Sequence, residues 1–111
     1  MLQKKTEEYK TKDKADNTAY YPDGKVEYQE WYKSGQLHRD NDLPARIYYF
    51  ENGNINYQVW CKSGQWHRDN DLPAYIYYYP DGKIKYRWWY KYGVVVSEEF
   101  CKQDFSKLDP K

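Results

Sequence analysis

An eight-residue segment, HRDNDLPA, occurs twice in the chain, at residues 38–45 and again at 67–74. The similarity extends further, because residues 31–59 align with the following residues at an offset of 29, and partial copies flank the pair. A fixed period of this length is typical of proteins whose neighbouring units stack into one continuous core. We therefore predict a disordered or loosely ordered lead at 1–17, a repeat domain at 18–96, and a C-terminal cap at 97–111.

The composition predicts strands whose packing depends on aromatic rings. The 111 residues include 15 Tyr and five Trp. Aromatic side chains favour strands over helices and bury a large apolar area each. The 18 basic and 17 acidic residues leave a net charge of +1, which argues against binding driven by charge to nucleic acid or to an acidic membrane. Of the two cysteines, Cys61 aligns with Tyr32 and Tyr90, which indicates a packing role rather than a reactive thiol.

Each unit contains two turn signals. Asp-Gly or Asn-Gly lies between aromatic runs in PDGK at 22–25, ENGN at 51–54 and PDGK at 80–83, and Lys-Ser-Gly or Lys-Tyr-Gly ends the following run. Glycine supplies the positive φ that a tight hairpin needs. We therefore predict an all-β fold: an antiparallel meander of β-hairpins with a 29-residue repeat that forms a single curved sheet. Alternation within each run is expected to place Val26, Tyr28 and their equivalents on one core face.

The C-terminal residues are expected to form a short capping helix. Ser97 has the side chain of a helix N-cap, Glu98 and Glu99 would lie in the first turn, and Cys101, Phe105 and Leu108 would share a face. Such a helix would cover the open end of the stacked sheet.

We interpret HRDNDLPA mainly as a bend in the chain. Asp and Asn capture nearby backbone N–H groups, and proline removes a donor and keeps the preceding residue extended. Arg39 is expected to pair with Asp42, and Arg68 with Asp71, inside each copy. The residues predicted to form the two bends are Asp40, Asp42, Pro44, Asp69, Asp71 and Pro73.

Catalytic and metal-binding interpretations of HRDNDLPA are weaker. A kinase catalytic loop needs Asn five residues after the aspartate, where Ala45 stands in the first copy. Pro44 and Ala45 also interrupt the ligand pattern of a calcium-binding loop. One His and one Asp per copy is a weak zinc signal. No metal or cofactor is therefore predicted.

The unit W-Y-x-x-G-x-x-H-R-x-x-D-L-P-A-x-I-x-Y, followed by x-G and a further Trp, resembles MORN-type repeats, in a long-period variant found in uncharacterised proteins of giant viruses, phages and bacteria. The resemblance covers residues 18–96. It implies a sheet of hairpins that serves as a protein-binding platform, or in some members a phosphoinositide-binding platform, without catalysis of its own.

The first functional hypothesis is a non-enzymatic protein-interaction module, such as a viral or bacterial binder that blocks a host or toxin component. A row of tryptophans on the more polar strand face could anchor a protein partner, or could instead cover this second face under the lysine stems. The candidate partner-binding residues are Trp31, Trp60, Trp89, His38, His67, Arg39 and Arg68. The open edges of the sheet also offer a route to a homodimer.

Two other function classes compete with this hypothesis. Tyrosine and tryptophan rings could stack on nucleic-acid bases, and basic side chains could hold phosphate or phosphoinositide on a membrane surface. Those basic residues are Arg39, Lys62, Arg68 and Arg87. A hydrolase using His38 and His67 is the weakest class, because no nucleophile converges with them. No apolar run of signal-peptide length occurs in residues 1–17, so an intracellular location is predicted.

Overall fold

The computed structural model of the chain describes residues 13–102. The regular secondary structure within these residues consists of β-strands alone. All strand pairs are antiparallel. The strands are β1 (Asn17–Tyr20), β2 (Val26–Glu30), β3 (Tyr32–Lys33), β4 (Gln36–Leu37), β5 (Arg46–Tyr49), β6 (Ile55–Val59), β7 (Cys61–Lys62), β8 (Gln65–Trp66), β9 (Tyr75–Tyr78), β10 (Ile84–Lys91) and β11 (Val94–Phe100). The predicted all-β, antiparallel fold is confirmed for this part of the chain.

Seven of the strands form one sheet in the order β1-β2-β5-β6-β9-β10-β11. The pairs β3-β4 and β7-β8 are separate two-stranded hairpins, so the prediction of a single sheet is wrong for them. The reason is the HRDNDLPA loop, which follows each short hairpin and returns the chain to the main sheet. Residues 36–50 therefore form two short strands joined by a connection that does not pair.

The turns between β1 and β2, β5 and β6, and β9 and β10 depend on glycine. Gly24, Gly53 and Gly82 have φ values of 95°, 95° and 96°, as the sequence predicts. In the first turn, the Gly24 N–H donates to the Tyr21 carbonyl over 2.9 Å, and the Asp23 carboxylate accepts the Lys25 N–H over 2.9 Å. The Asp23 carboxylate thus fixes the turn through a hydrogen bond, and Gly24 supplies the positive φ that the turn needs.

A register shift follows the start of β2, β6 and β10, and it corrects the predicted alternation. Ile84 pairs with Tyr78, whereas Tyr86 pairs with the adjacent Tyr77. The intervening Lys85 is therefore an extra residue, or β-bulge, so Ile84 and Tyr86 lie on opposite faces of the sheet. Ile84 accordingly packs in the cluster of Trp60 and Ile76.

One face of the main sheet is covered by a continuous row of aromatic rings, here called the tyrosine face. Ring centroids of successive members are 4.8–5.4 Å apart, a separation typical of favourable aromatic pairs. In order across the strands, the row consists of Tyr28, Tyr48, Tyr57, Tyr75, Trp88, Tyr86 and Phe100.

The C-terminal helix predicted from Ser97 is wrong for residues 97–100, which belong to β11. Three consecutive valines favour a strand, and pairing with β10 uses its edge N–H and C=O groups. Glu98 and Glu99, expected in a first helical turn, instead accept hydrogen bonds across the hairpin from Trp88 Nε1 over 3.1 Å and Arg87 Nη1 over 2.7 Å. Phe105 and Leu108 lie outside the described residues.

We expect Gly53→Ala to destabilise the protein by about 1 kcal/mol, because an L side chain is disfavoured at this φ. A Cβ at this position would meet no atom within 4 Å, so any loss reports backbone conformation alone. The free energy of unfolding would be measured in urea, with the neighbouring exposed substitution Glu51→Ala as the matched control. Equal stability of the two variants would contradict the role assigned to the turn.

Candidate functional site

The two HRDNDLPA loops bend through consecutive residues with left-handed backbone conformations. Asn41 and Asp42 have φ values of 65° and 57°, and Asn70 and Asp71 repeat them at 63° and 56°. Asn and Asp tolerate this region better than most residues with a Cβ. The chain then re-enters the sheet at Ala45, which donates its N–H to the Val59 carbonyl over 2.7 Å.

Each loop histidine uses both ring nitrogens to fix the loop against the next hairpin. His38 Nδ1 accepts the backbone N–H of Ser63 over 3.0 Å, and Nε2 lies 2.8 Å from Asp40 Oδ1. Because Nδ1 accepts a hydrogen bond, the neutral ring must carry its hydrogen on Nε2, which donates a hydrogen bond to the carboxylate. His67 makes the equivalent contacts with Tyr92 and Asp69.

The carboxylates beside these histidines have lowered pKa values. The hydrogen bond from His38 is the main cause at Asp40, and the charge of Lys33 adds to it. The hydrogen bond from His67 and then the charge of Lys62 act in the same way on the pKa of Asp69. Because these pKa values are depressed in the folded state, the interaction stabilises the protein above the ordinary aspartate pKa and is lost as the pH falls through the folded-state value.

Each loop arginine bonds to a carboxylate that lies earlier in the chain. The Arg68 guanidinium contacts both oxygens of Asp42, with Nε–Oδ1 and Nη2–Oδ2 distances of 2.9 and 3.3 Å. Arg39 binds Asp13 in the same two-pronged way, at 3.3 and 2.6 Å. The predicted pairs within one loop, Arg39 with Asp42 and Arg68 with Asp71, are therefore wrong. The left-handed bend turns Asp42 towards the following loop, not back towards the arginine of its own loop.

Each arginine also lies flat over a tryptophan. Arg39 Cζ is 3.6 Å from the ring centroid of Trp31, and Arg68 Cζ is 3.8 Å from that of Trp60. A guanidinium in this position is attracted to the negative ring face. The third donor of each guanidinium bonds to a loop carbonyl, that of Pro44 or Pro73, over 3.1 Å.

The predicted row of accessible tryptophans is wrong for two of its members. Trp31 and Trp60 are only 8% and 6% exposed, so neither ring can anchor a partner in this conformation. Their indole N–H groups donate to the backbone carbonyls of Asp13 and Asp42, over 2.8 and 3.0 Å. Both rings are buried, as the alternative predicts, but under Arg39 and Arg68 and not under lysine stems. The third tryptophan, Trp89, is half-buried.

The contacts of one tryptophan therefore recur 29 residues later. Asp42 accepts the Trp60 indole with its carbonyl and Arg68 with its carboxylate, and Asp13 does the same for Trp31 and Arg39. Sequence reasoning missed Asp13 by assigning residues 1–17 to a disordered or loosely ordered lead. The available signal was its position, 29 residues before Asp42.

A small cleft lies where the two loops meet. It has a volume of about 140 Å³ and brings His38 and Asp40 together with His67 and Asp69. This volume is well below that of ordinary small-molecule sites, and the polar groups within it bond to one another. Within residues 13–102, no group of three or more His, Cys, Asp or Glu side chains is arranged to hold a metal ion.

Comparison of the chain with protein-family models, with curated proteins and with solved structures gives no match. Within the described residues there is no helix of the length and apolar character required to cross a lipid bilayer. The MORN-type resemblance and the intracellular location therefore stay predictions.

A double-mutant cycle distinguishes the observed arginine pairing from the pairing predicted by sequence. We expect Arg68→Gln and Asp42→Asn to show a coupling of about 1 kcal/mol in the free energy of unfolding, since the pair is two-pronged and partly buried. The matched cycle of Arg68→Gln with Asp71→Asn should show a coupling near zero. A larger coupling in the second cycle would contradict the assigned partners.

Cys61 offers a second test, this time of packing. Burial raises the pKa of its thiol from 9.0 to about 11, which reduces the reactive thiolate at pH 8 by roughly a hundredfold. In a Cys101→Ser variant, we expect iodoacetamide to alkylate Cys61 at least that much more slowly in the native protein than in urea. Equal rates would show that the thiol is accessible and that its packing role is wrong.

Proposed function

We propose that the protein is a non-enzymatic protein-interaction module of MORN-like hairpin repeats, and that its contact surface is the tyrosine face. The observation that carries the proposal is the row of contacting aromatic rings that crosses from β2 to β11. Its members are half-buried except Phe100, which is 53% exposed. The proposal therefore places the contact surface on the tyrosine face and not on the row of tryptophans considered from the sequence.

The chemistry of this face suits a protein partner. Tyrosine combines a large apolar area with a hydroxyl and loses little conformational entropy on binding, so it is enriched at protein interfaces. Burial raises the pKa of Tyr75 to about 12, so its hydroxyl stays a neutral donor under physiological conditions. Neighbouring rings already hold one another in place, which reduces the ordering cost of association.

The non-enzymatic part of the proposal is supported by the engagement of the histidines. Both nitrogens of His38 and of His67 have protein partners, so neither ring has a free nitrogen to act as a general base. The group that approaches His38 from residue 63 is the backbone N–H, not the serine hydroxyl. For histidine to activate Ser63 as a nucleophile, the serine hydroxyl would have to donate to the ring nitrogen instead.

Phosphate or phosphoinositide binding is not favoured by the charges. Each basic residue considered for phosphate contact forms an ion pair with a carboxylate. These pairs are Arg39 with Asp13, Lys62 with Asp69, Arg68 with Asp42 and Arg87 with Glu99. Binding a phosphate at any of the three arginines would require a close ion pair to be broken, whereas the exposed Lys62–Asp69 pair, at 3.8 Å, is weak.

The proposal is tested by comparing the same substitution on the two sheet faces. Tyr28→Lys places a charge at the start of the tyrosine face, and Tyr20→Lys places one at a site that is 61% exposed and outside the row. Each tagged variant would be used for affinity capture from host cells, followed by quantitative mass spectrometry and binding measurements with the purified partner.

We expect Tyr28→Lys to weaken binding of the captured protein at least tenfold, because a charge would be buried at the interface, whereas Tyr20→Lys should bind like the wild type. Thermal unfolding would establish that both variants remain folded. Loss of binding with Tyr20→Lys alone, or unchanged binding with Tyr28→Lys, would overturn the assignment of the surface.

A further inference from the structure

The third tryptophan, Trp89, lacks the arginine that covers the other two. Its indole N–H donates to the Asp71 carbonyl over 3.0 Å, which is the bond made by the indoles of Trp31 and Trp60. The residue 29 positions after Arg68 is Ser97, which lies in β11. Among residues 13–102, no cation lies over the Trp89 ring in the way that Arg39 and Arg68 lie over theirs.

We propose that Trp89 and Asp71 form an open binding site for an arginine side chain presented by a loop of a partner protein. The site lies at the β10–β11 end of the array and does not depend on the tyrosine face, so it adds a second contact with a defined chemistry to the proposed function.

The occupied versions of the site define the ligand. In each of them a guanidinium lies on the indole ring and binds both oxygens of the aspartate whose carbonyl accepts that indole N–H. This combination requires a planar cation with several donors in a fixed fork, which lysine lacks. The same tryptophan and aspartate groups are present in the third copy, so arginine is the side chain that they fit.

The state of Asp71 indicates that its binding capacity is unused. Its side chain is 93% exposed, against 48% for Asp42, whose carboxylate holds Arg68. Asp71 forms an ion pair with Lys91, with an Nζ–Oδ1 distance of 3.7 Å. An exposed pair at this distance contributes little stability, so an incoming guanidinium can displace the lysine at small cost.

A cavity of about 160 Å³ adjoins these two residues, with walls that include Leu72, Tyr90 and Val96. These apolar walls suit the methylene stem of arginine, while Asp71 supplies the charge. Arg68 also borders the cavity, but its guanidinium is already bound to Asp42 and Trp60. Lys91 borders the cavity as well and is only loosely paired with Asp71, so the Asp71 carboxylate is the group that an incoming guanidinium would bind.

A second folded copy of this chain is a poor occupant. Its two loop arginines, Arg39 and Arg68, already bind their own aspartates and tryptophans. The occupant is therefore an arginine on an exposed loop of another protein, and self-association becomes an outcome that the experiment must detect.

The test uses the full chain and a synthetic peptide, QLHRDNDLP, which copies the loop that supplies arginine to Trp31. Binding would be followed through the indole N–H resonance of Trp89, assigned with Trp89→Phe, in titrations monitored by NMR. Matched peptides carry citrulline or lysine in place of arginine. Citrulline preserves the shape and removes the charge, and lysine preserves the charge and removes the planar fork.

We expect saturable shifts of the Trp89 resonance with the arginine peptide, and at least tenfold weaker binding with either replacement. Asp71→Asn should weaken binding at least tenfold without unfolding the protein, because this side chain is exposed, while Asp23→Asn, in a distant turn, should leave binding unchanged. The proposal is overturned by no binding, by equal binding of the citrulline peptide, by equal binding to Asp71→Asn, or by sedimentation data showing self-association that Asp71→Asn abolishes.

Discussion

The stacking of a loop arginine on a tryptophan, with its charge held by an earlier aspartate, connects successive parts of this fold. Arg68 lies over Trp60 and binds Asp42, and Trp60 donates its indole N–H to the carbonyl of that same aspartate. Asp42 therefore holds the Trp60 indole with its backbone carbonyl and the Arg68 guanidinium with its carboxylate. The arrangement removes the tryptophan from solvent and gives its polar N–H a partner, which a buried indole needs.

This interaction explains how a thin sheet can have a core. Among residues 13–102 eight hydrophobic side chains are buried, and six of them form two small clusters around Val59 and Trp60, while Trp31 and Ile47 lie outside both clusters. The loops cover one face through arginine and tryptophan, and the aromatic row covers the other. The tyrosine face carries a continuous row of half-buried aromatic rings that ends at the exposed Phe100, which is why the proposed function is placed there.

The strands and turns could be predicted because they depend on local chemistry. Aromatic runs separated by Asp-Gly or Asn-Gly specify hairpins, and Gly24, Gly53 and Gly82 adopt the positive φ that this pattern requires. The bend at HRDNDLPA was predicted for the same reason. The position of the extra strand residue, such as Lys85, could not be read from alternation, because a bulge reverses the faces without changing the composition.

The partners of the arginines could not be deduced from spacing alone. Arg68 and Asp71 are close in sequence, but consecutive left-handed residues turn the loop so that Asp42 of the preceding loop is the one in reach. Asp13, which lies 29 residues before Asp42, binds Arg39 in the same two-pronged way. The C-terminal helix was misassigned because Ser97, Glu98 and Glu99 match a helix start, whereas the preceding valines and the exposed edge of β10 determine a strand.

Hydrogen exchange of the Trp60 indole N–H tests the central claim most directly. If the Arg68 stack and the Asp42 carbonyl close over this ring, the N–H should exchange only when the protein unfolds globally, with the same free energy and denaturant dependence as the slowest amides of β6 and β9. Exchange of the indole near the rate of a free tryptophan, while those amides stay protected, would show that the ring opens independently and would contradict the account.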